Sequence, residues 1–235
     1  MSDFEGNTHR ISIRGGRFQG LMGGDRMPLG EEGFLDIVII NAAKISRAYY
    51  ADEYDRSKPS YPTCWSADTQ LPAVEVPEAR KQASRCMDCT QNIRGSGKMD
   101  SRACKFAQRL AVGLVDDMQQ VYHLQLPASS IFGGVKKGHM GLQAYAKFLS
   151  TRRTHTMSVV TRLYFDETSA VPKVYFKAIK PLTDTELEVA LKLKRSDAAS
   201  IAALQTVAVS HEPVMATSPF TEVDGFQYKL ENTYG

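Results

Sequence analysis

The stretch Lys105-Phe106-Ala107-Gln108-Arg109-Leu110-Ala111-Val112-Gly113-Leu114-Val115, followed by Asp116-Asp117-Met118 and then Gln120-Val121-Tyr122-His123-Leu124-Gln125-Leu126, reads as two strands around a turn. Pro127 closes the second strand, because it has no N–H to give to a ladder. Downstream, Gly138 to Thr151 reads as a helix, with Leu142, Tyr145, Ala146 and Leu149 at helical spacing on one face. Thr156–Phe165 and Val174–Ile179 then read as a second hairpin around Asp166-Glu167-Thr168-Ser169, ended by Pro181. Thr183 and Glu186 have the separation of a capping box. The helix they open runs through Leu187 and Leu191, pauses near Arg195-Ser196 and resumes to about Gln205. Upstream, Phe34 to Ile40 is a dense β-branched run that reads as a buried strand. Asn41 to Tyr50 continues it as a second strand or a bent extension. The expected fold is α+β: an antiparallel sheet built from hairpins, two main helices and a cysteine-rich knot. An OB barrel is not read from this strand pattern.

The knot precedes the first hairpin. All four cysteines, Cys64, Cys86, Cys89 and Cys104, lie within it. Cys86-Met87-Asp88-Cys89 is a knuckle whose two-residue gap lets both sulfurs turn towards one tetrahedral ion. Cys64 and Cys104 stand 22 residues before and 15 residues after it, far enough to fold back and complete a four-sulfur zinc site. Four reduced thiols in a core would satisfy the same spacing, since free cysteine buries readily. A redox pair is a third option, though it would normally open a helix in a βαβ setting.

Charge is uneven along the chain, although the net value is only +3. Between Val76 and Leu110 stand Arg80, Lys81, Arg85, Arg94, Lys98, Arg102, Lys105 and Arg109 against Glu78, Asp88 and Asp100, a net of +5. Lys136, Lys137, Lys147, Arg152, Arg153 and Arg162 form a second concentration over 27 residues without one acid. A solvated helix face usually mixes signs, so such a run points towards a polyanion. Arg152 and Arg153 also have a local reason to be there, because cations favour a helix C-terminus. Tyr61, on a proline-flanked loop, and Trp65, beside Cys64, are the rings best placed to stack on bases, with Phe18 a weaker third. Aromatics are more often core than contact, so packing is the competing assignment for all three.

Length and composition frame these features. A chain of 235 residues suits one large domain with an insertion, and 43% apolar residues fill a real core. The expected organisation is a Gly/Arg-rich arm over 1–33, with one short strand at Ile11-Ser12-Ile13-Arg14 and then a flexible loop. A single domain follows over 34–210 with the cysteine-rich insertion at 60–105, and then a tail over 211–235. The tail carries Glu212, Glu222, Asp224 and Glu231 against Lys229 and reads as exposed and partly disordered. No 18-residue apolar run and no apolar leader are present, so a membrane is not expected and a reducing cytoplasm is.

Cys64-Trp65-Ser66-x-Asp68, Cys86-x-x-Cys89, Gly95-Ser96-Gly97 and Cys104, followed by Arg109-Leu110-Ala111-Val112, a hairpin and the Tyr145 helix, resemble one family. It comprises the single-stranded-DNA-binding proteins of tailed phages with virion RNA polymerases. The resemblance covers most of residues 34–181 and implies a protein that coats single strands in the host cytoplasm. It further implies support for phage DNA replication or transcription, with a phage RNA polymerase, replication proteins or further copies of itself as partners.

A catalytic role is the rival class. A nuclease wants clustered carboxylates, whereas Asp116-Asp117 and Asp166-Glu167 both fall at predicted turns, where Asp is favoured for backbone reasons. The histidines form no His-x-x-x-His pair, and no Gly-x-Ser-x-Gly elbow exists. The expectation is therefore a non-enzymatic binder of single-stranded DNA with structural zinc on Cys64, Cys86, Cys89 and Cys104. Its expected DNA contacts are Tyr61, Trp65, Arg94, Lys98, Arg102, Lys105, Arg109, Lys136, Lys137, Arg152 and Arg153. An adaptor that recruits a polymerase or replication protein, touching DNA only incidentally, is the alternative.

Overall fold

The computed structural model describes residues 9–22, 25–31, 33–52, 61–136 and 138–204. The expectations for Lys137 and for the acidic tail fall outside these residues. The first strands are β1 (His9–Ser12), β2 (Gln19–Met22), β3 (Asp25–Pro28), β4 (Phe34–Ala42), β5 (Ser46–Tyr49) and β6 (Cys64–Ser66). There follow β7 (Lys105–Leu114), β8 (Asp117–Pro127), β9 (Val135–Lys136), β10 (His139–Met140), β11 (Val159–Phe165) and β12 (Val174–Pro181). The helices are α1 (Ala128–Ile131), α2 (Leu142–Thr151), α3 (Asp184–Lys194) and α4 (Asp197–Leu204).

These elements build a mixed α/β architecture around one large open sheet, in the order β3-β2-β1-β8-β7-β4-β11-β12-β10-β9. The hairpin β7–β8 is its centre, with Leu110 opposite Leu124 and Arg109 opposite Gln125. Hairpins supply most of the pairing, but the sheet is not purely antiparallel. β1 runs parallel to β8, with Ile11 opposite Leu124, a long-range pairing that no local turn signal announces. Among the described residues the two expected helices stand as α2 and as α3 with α4, the latter divided at Arg195-Ser196, and the four-residue α1 brings the number of helices to four. Instead of a flexible loop, the glycine-rich stretch after β1 forms β2 and β3. There Gly20 is needed for close packing, since a Cβ on it would lie 3.1 Å from the Met27 side chain. Phe18 is buried against Phe165 with ring centroids 4.4 Å apart, so it is core and not a stacking surface.

β4 and β5 are one bent strand on the same edge of β7. Ala42 faces Leu110 and Ser46 faces Ala107, and between them the Ala43 N–H donates to the Arg109 carbonyl at 2.9 Å. Alternation then sorts side chains to two faces. Ile37, Ile39, Leu110, Val112, Leu124, Leu163 and Phe176 join the core beneath α1 and α2. Val38, Ile40, Ala111 and Val121 turn the other way and pack under α3 and α4. α2 buries Leu142, Tyr145 and Leu149 as its spacing predicts, whereas Ala146 is exposed. Gly141 precedes α2 because a Cβ there would sit 2.3 Å from the Gly133 carbonyl oxygen. The capping box is formed: Thr183 Oγ1 accepts from the Glu186 N–H at 3.3 Å, and Glu186 Oε2 accepts from the Thr183 N–H at 2.7 Å.

Candidate nucleic-acid interface and cysteine centre

Among the described residues, it is only over its middle, on β4, β7 and β8, that the α3 face of the sheet is covered by helices. Beyond them, β4, β11 and β12 present Phe34, Asp36, Arg162, Tyr164 and Lys177 as cross-strand neighbours, Tyr164 opposite Phe34 and Arg162 opposite both Asp36 and Lys177. Phe34 and Tyr164 are half-buried, and their ring centroids are 6.3 Å apart. His139 from β10 stacks on Tyr164 at 4.3 Å with an interplanar angle of 12°, and the Arg162 guanidinium lies 3.8 Å over the Phe34 ring. The result is a strip of planar groups that spans four strands, β4, β11, β12 and β10. Arg162 is held in place by a two-pronged pair with Asp36, at 2.6 and 2.7 Å. Lys177 is exposed and has no acid partner among the described residues. Burial first, and then the Lys177 charge, hold the His139 imidazole below its usual range, so it is an uncharged ring at neutral pH.

On the far side of the helices the same face carries a second polar row, Arg10 opposite His123 and Arg109 within hydrogen-bond reach of Gln125. Burial, followed by the charges of Arg10, Arg109 and His9, pushes the His123 imidazole down to about 4. An unfolded imidazole titrates near 6.5, so the unfolded chain takes up this proton first as pH falls. The stability His123 confers is thus complete above about pH 6.5 and lost towards pH 4. The loss is about 2 kcal/mol once screening of a partly exposed ring is allowed for. Chemical denaturation of His123→Gln across this range is expected to show a correspondingly flatter pH dependence than wild type.

The expected contact residues do not form one surface. Arg94 pairs with Asp100 at 2.8 Å, Arg102 donates to the Asn92 carbonyl at 2.7 Å, and Lys105 donates to Ser101 Oγ at 2.6 Å. These three and the exposed Lys98 belong to the cysteine-rich lobe and its junction with β7. Arg152 instead folds back over the Phe148 ring at 3.7 Å, at the end of α2, and Arg153 beside it has a left-handed backbone, φ 54°. Lys136 lies in β9, its side chain outside the described residues. Tyr61 is 56% exposed, and Trp65 is half-buried against the cysteines. Phe34, Tyr164, His139 and Lys177 are not among the contacts expected from sequence, and their one legible signal was the period-two alternation that turns Arg162 and Tyr164 away from Thr161 and Leu163.

The four cysteines do come together. All are buried as free thiols and all line one small cavity of about 10 Å³, with Arg47, Tyr49 and Trp65 among its other walls. Cys64 is placed by the β5–β6 pairing, opposite Tyr49. Cys86 opens a 3-10 turn, Cys86–Asp88, and Cys89 precedes the next, Thr90–Asn92. Cys104 is tied to that second turn by its N–H, which donates to the Gln91 carbonyl at 2.9 Å. Asp68 organises the chain after Cys64 by accepting the Gln70 N–H at 2.9 Å and the Ser66 hydroxyl at 3.1 Å. Those bonds, the Gln70 N–H foremost, hold its carboxyl below the usual range. Burial raises the Cys86 thiol and pushes Cys104 up to about 12. Among the described residues, no three His, Cys, Asp or Glu side chains converge closely enough to hold an ion as they stand.

No protein-family model matches this chain, and no curated protein or solved structure shows significant similarity to it. No helix among the described residues is long and apolar enough to cross a membrane.

Proposed function

We propose that this protein binds single-stranded DNA with little sequence preference and without catalysing a reaction, using the strip of Phe34, Tyr164, His139, Arg162 and Lys177. The observation that carries this reading is the set of half-buried rings and basic groups standing side by side on a part of the sheet face that no helix among the described residues covers. Every base has a π-face, so rings of this kind accept any sequence, while a neighbouring cation neutralises phosphate. The basic lobe residues Arg94, Lys98 and Arg102 add long-range attraction. A role in phage replication or transcription in the host cytoplasm rests on the resemblance of the cysteine stretch.

The adaptor reading is favoured by a different observation. Leu71, Val74, Met87 and Ile93 of the lobe are all exposed, Val74 to 90%, as a protein contact would require. Fluorescence anisotropy with oligothymidine and with an equal-length duplex, each at two salt concentrations, separates the readings. Tighter, salt-sensitive binding of the single strand is expected. Equal binding of both strands, or none, sinks the proposal and leaves the adaptor.

A further inference from the structure

The lobe from Ala67 to Cys104 is built inside out. Its only buried residues among those described are Val76, Cys86, Cys89 and Cys104, while its large aliphatic side chains point to solvent. It contains no strand and no α-helix, only 3-10 turns. Such a segment lacks the apolar burial that offsets the entropy of ordering a chain, and segments of this kind are usually stapled by metal or disulfide. The cysteines here are unpaired thiols around a space of about 10 Å³, room for a single sphere.

The cavity wall adds an independent sign. Arg47 is only 6% exposed, and its Nε–H is buried with no acceptor; the Trp65 Nε1–H is also buried with no acceptor. Arg47 Nη1 reaches the Cys86 carbonyl at 3.3 Å and its guanidinium lies 4.1 Å over the Phe106 ring, yet no carboxylate meets it among the described residues. Lys105, adjacent to Cys104 and half-buried, also lacks a carboxylate partner among them. Arg47 and Trp65 thus line the cavity of the four thiols with one orphaned donor each, and a second cation, the half-buried Lys105, stands next to Cys104 in the chain. Thiols are poor acceptors and carry no charge, so in that state the arrangement is unbalanced.

We propose that Cys64, Cys86, Cys89 and Cys104 bind one zinc ion as thiolates, that the Arg47 and Trp65 N–H groups donate to the bound sulfurs, and that this centre is the folding core of the lobe. On binding, four S–H protons pass to solvent and four Zn–S bonds form, leaving a centre of net charge −2. Arg47 and Lys105 offset that charge. Closing Zn–S distances to about 2.3 Å draws the sulfurs inward from the cavity wall.

The test uses the full-length protein and does not depend on DNA. Elemental analysis is expected to give about one zinc per chain, released as a mercurial titrates the four thiols. Co²⁺ added to chelator-stripped protein is expected to produce the charge-transfer absorption of a tetrahedral thiolate site. Stripping should also open the lobe to trypsin at Arg80, Lys81, Arg85, Arg94 and Arg102 while the sheet stays resistant. Arg47→Gln should keep the metal but weaken its affinity about 10- to 100-fold, as loss of an outer-shell donor does. Protein without zinc, with four freely reacting thiols and no Co²⁺ spectrum, overturns the site. Unchanged metal affinity in Arg47→Gln overturns the outer-shell assignment alone.

Discussion

Tyr164→Ala is expected to weaken oligothymidine binding about tenfold to a hundredfold, the equivalent of roughly 1–3 kcal/mol for one stacked base. The ring sits at the centre of the strip, 4.3 Å from His139 on one side and 6.3 Å from Phe34 on the other, so its removal splits the stacking surface in two. Being half-buried, Tyr164 contributes less to the core than to the surface, and stability should fall by about 1 kcal/mol or less. Phe34→Ala should act similarly on binding, because it also deprives the Arg162 guanidinium of the ring that supports it. Lys177→Ala should have a smaller effect, shared by all sequences, with the slope of log affinity against log salt shallower by about 0.7. Tyr61→Ala is the informative control. Tyr61 is the more exposed ring, but it stands on a loop with no stacking partner among the described residues. If Tyr61→Ala weakens binding and Tyr164→Ala does not, the interface lies on the lobe and the strip is only a well-packed edge.

The contrast between those two tyrosines marks where the sequence is legible and where it is not. Local signals read well: the hairpin around Asp116-Asp117, the capping box at Thr183 and Glu186, and the pause at Arg195-Ser196 all depend on residues within a few positions of one another. The continuation of β4 into β5 was legible only as one of two options over Asn41 to Tyr50, a second strand or a bent extension, because the β-branched run itself ends at Ile40. Long-range pairings were not. β1 joins β8 across more than a hundred residues, which hides both the parallel pair and the reason that Ile11 and Phe18 are buried. The glycines of that segment suggested flexibility, but Gly20 supplies closeness, and composition alone does not distinguish the two. The basic count is limited by the same cause. The window from Lys136 to Arg162 holds no acid, while the acid that neutralises Arg162, Asp36, lies 126 residues away. The cysteines are the intermediate case. Their spacing suggested convergence, but the contribution of Arg47 from another strand could not be seen in it.

Tyr145→Ala is expected to cost about 3–5 kcal/mol, because its ring is wholly inside and its removal leaves a large cavity in the core. It stacks on Phe176 with centroids 5.8 Å apart, and its hydroxyl meets Thr161 Oγ1 at 2.7 Å, where both residues are 0% exposed. Burial raises this phenol to about 12, so the pair is a neutral hydrogen bond. Tyr145→Phe leaves the Thr161 hydroxyl without a partner and should cost about 1–3 kcal/mol; Thr161→Val leaves the phenol stranded and should cost a similar amount. The double variant removes both groups and should be less destabilised than the sum, a coupling measurable by urea denaturation. Thr161 and Arg162 are consecutive in β11 and point to opposite faces, which ties this pair to function. Packing beneath α2 and the planar strip above are therefore separable by alternation alone. Tyr145→Phe should lower stability with oligothymidine affinity unchanged, and Tyr164→Ala should do the reverse. A folded Tyr145→Phe protein that binds single strands several-fold more weakly would show that the two faces are coupled, and the strip could not then be assigned its role from surface geometry alone.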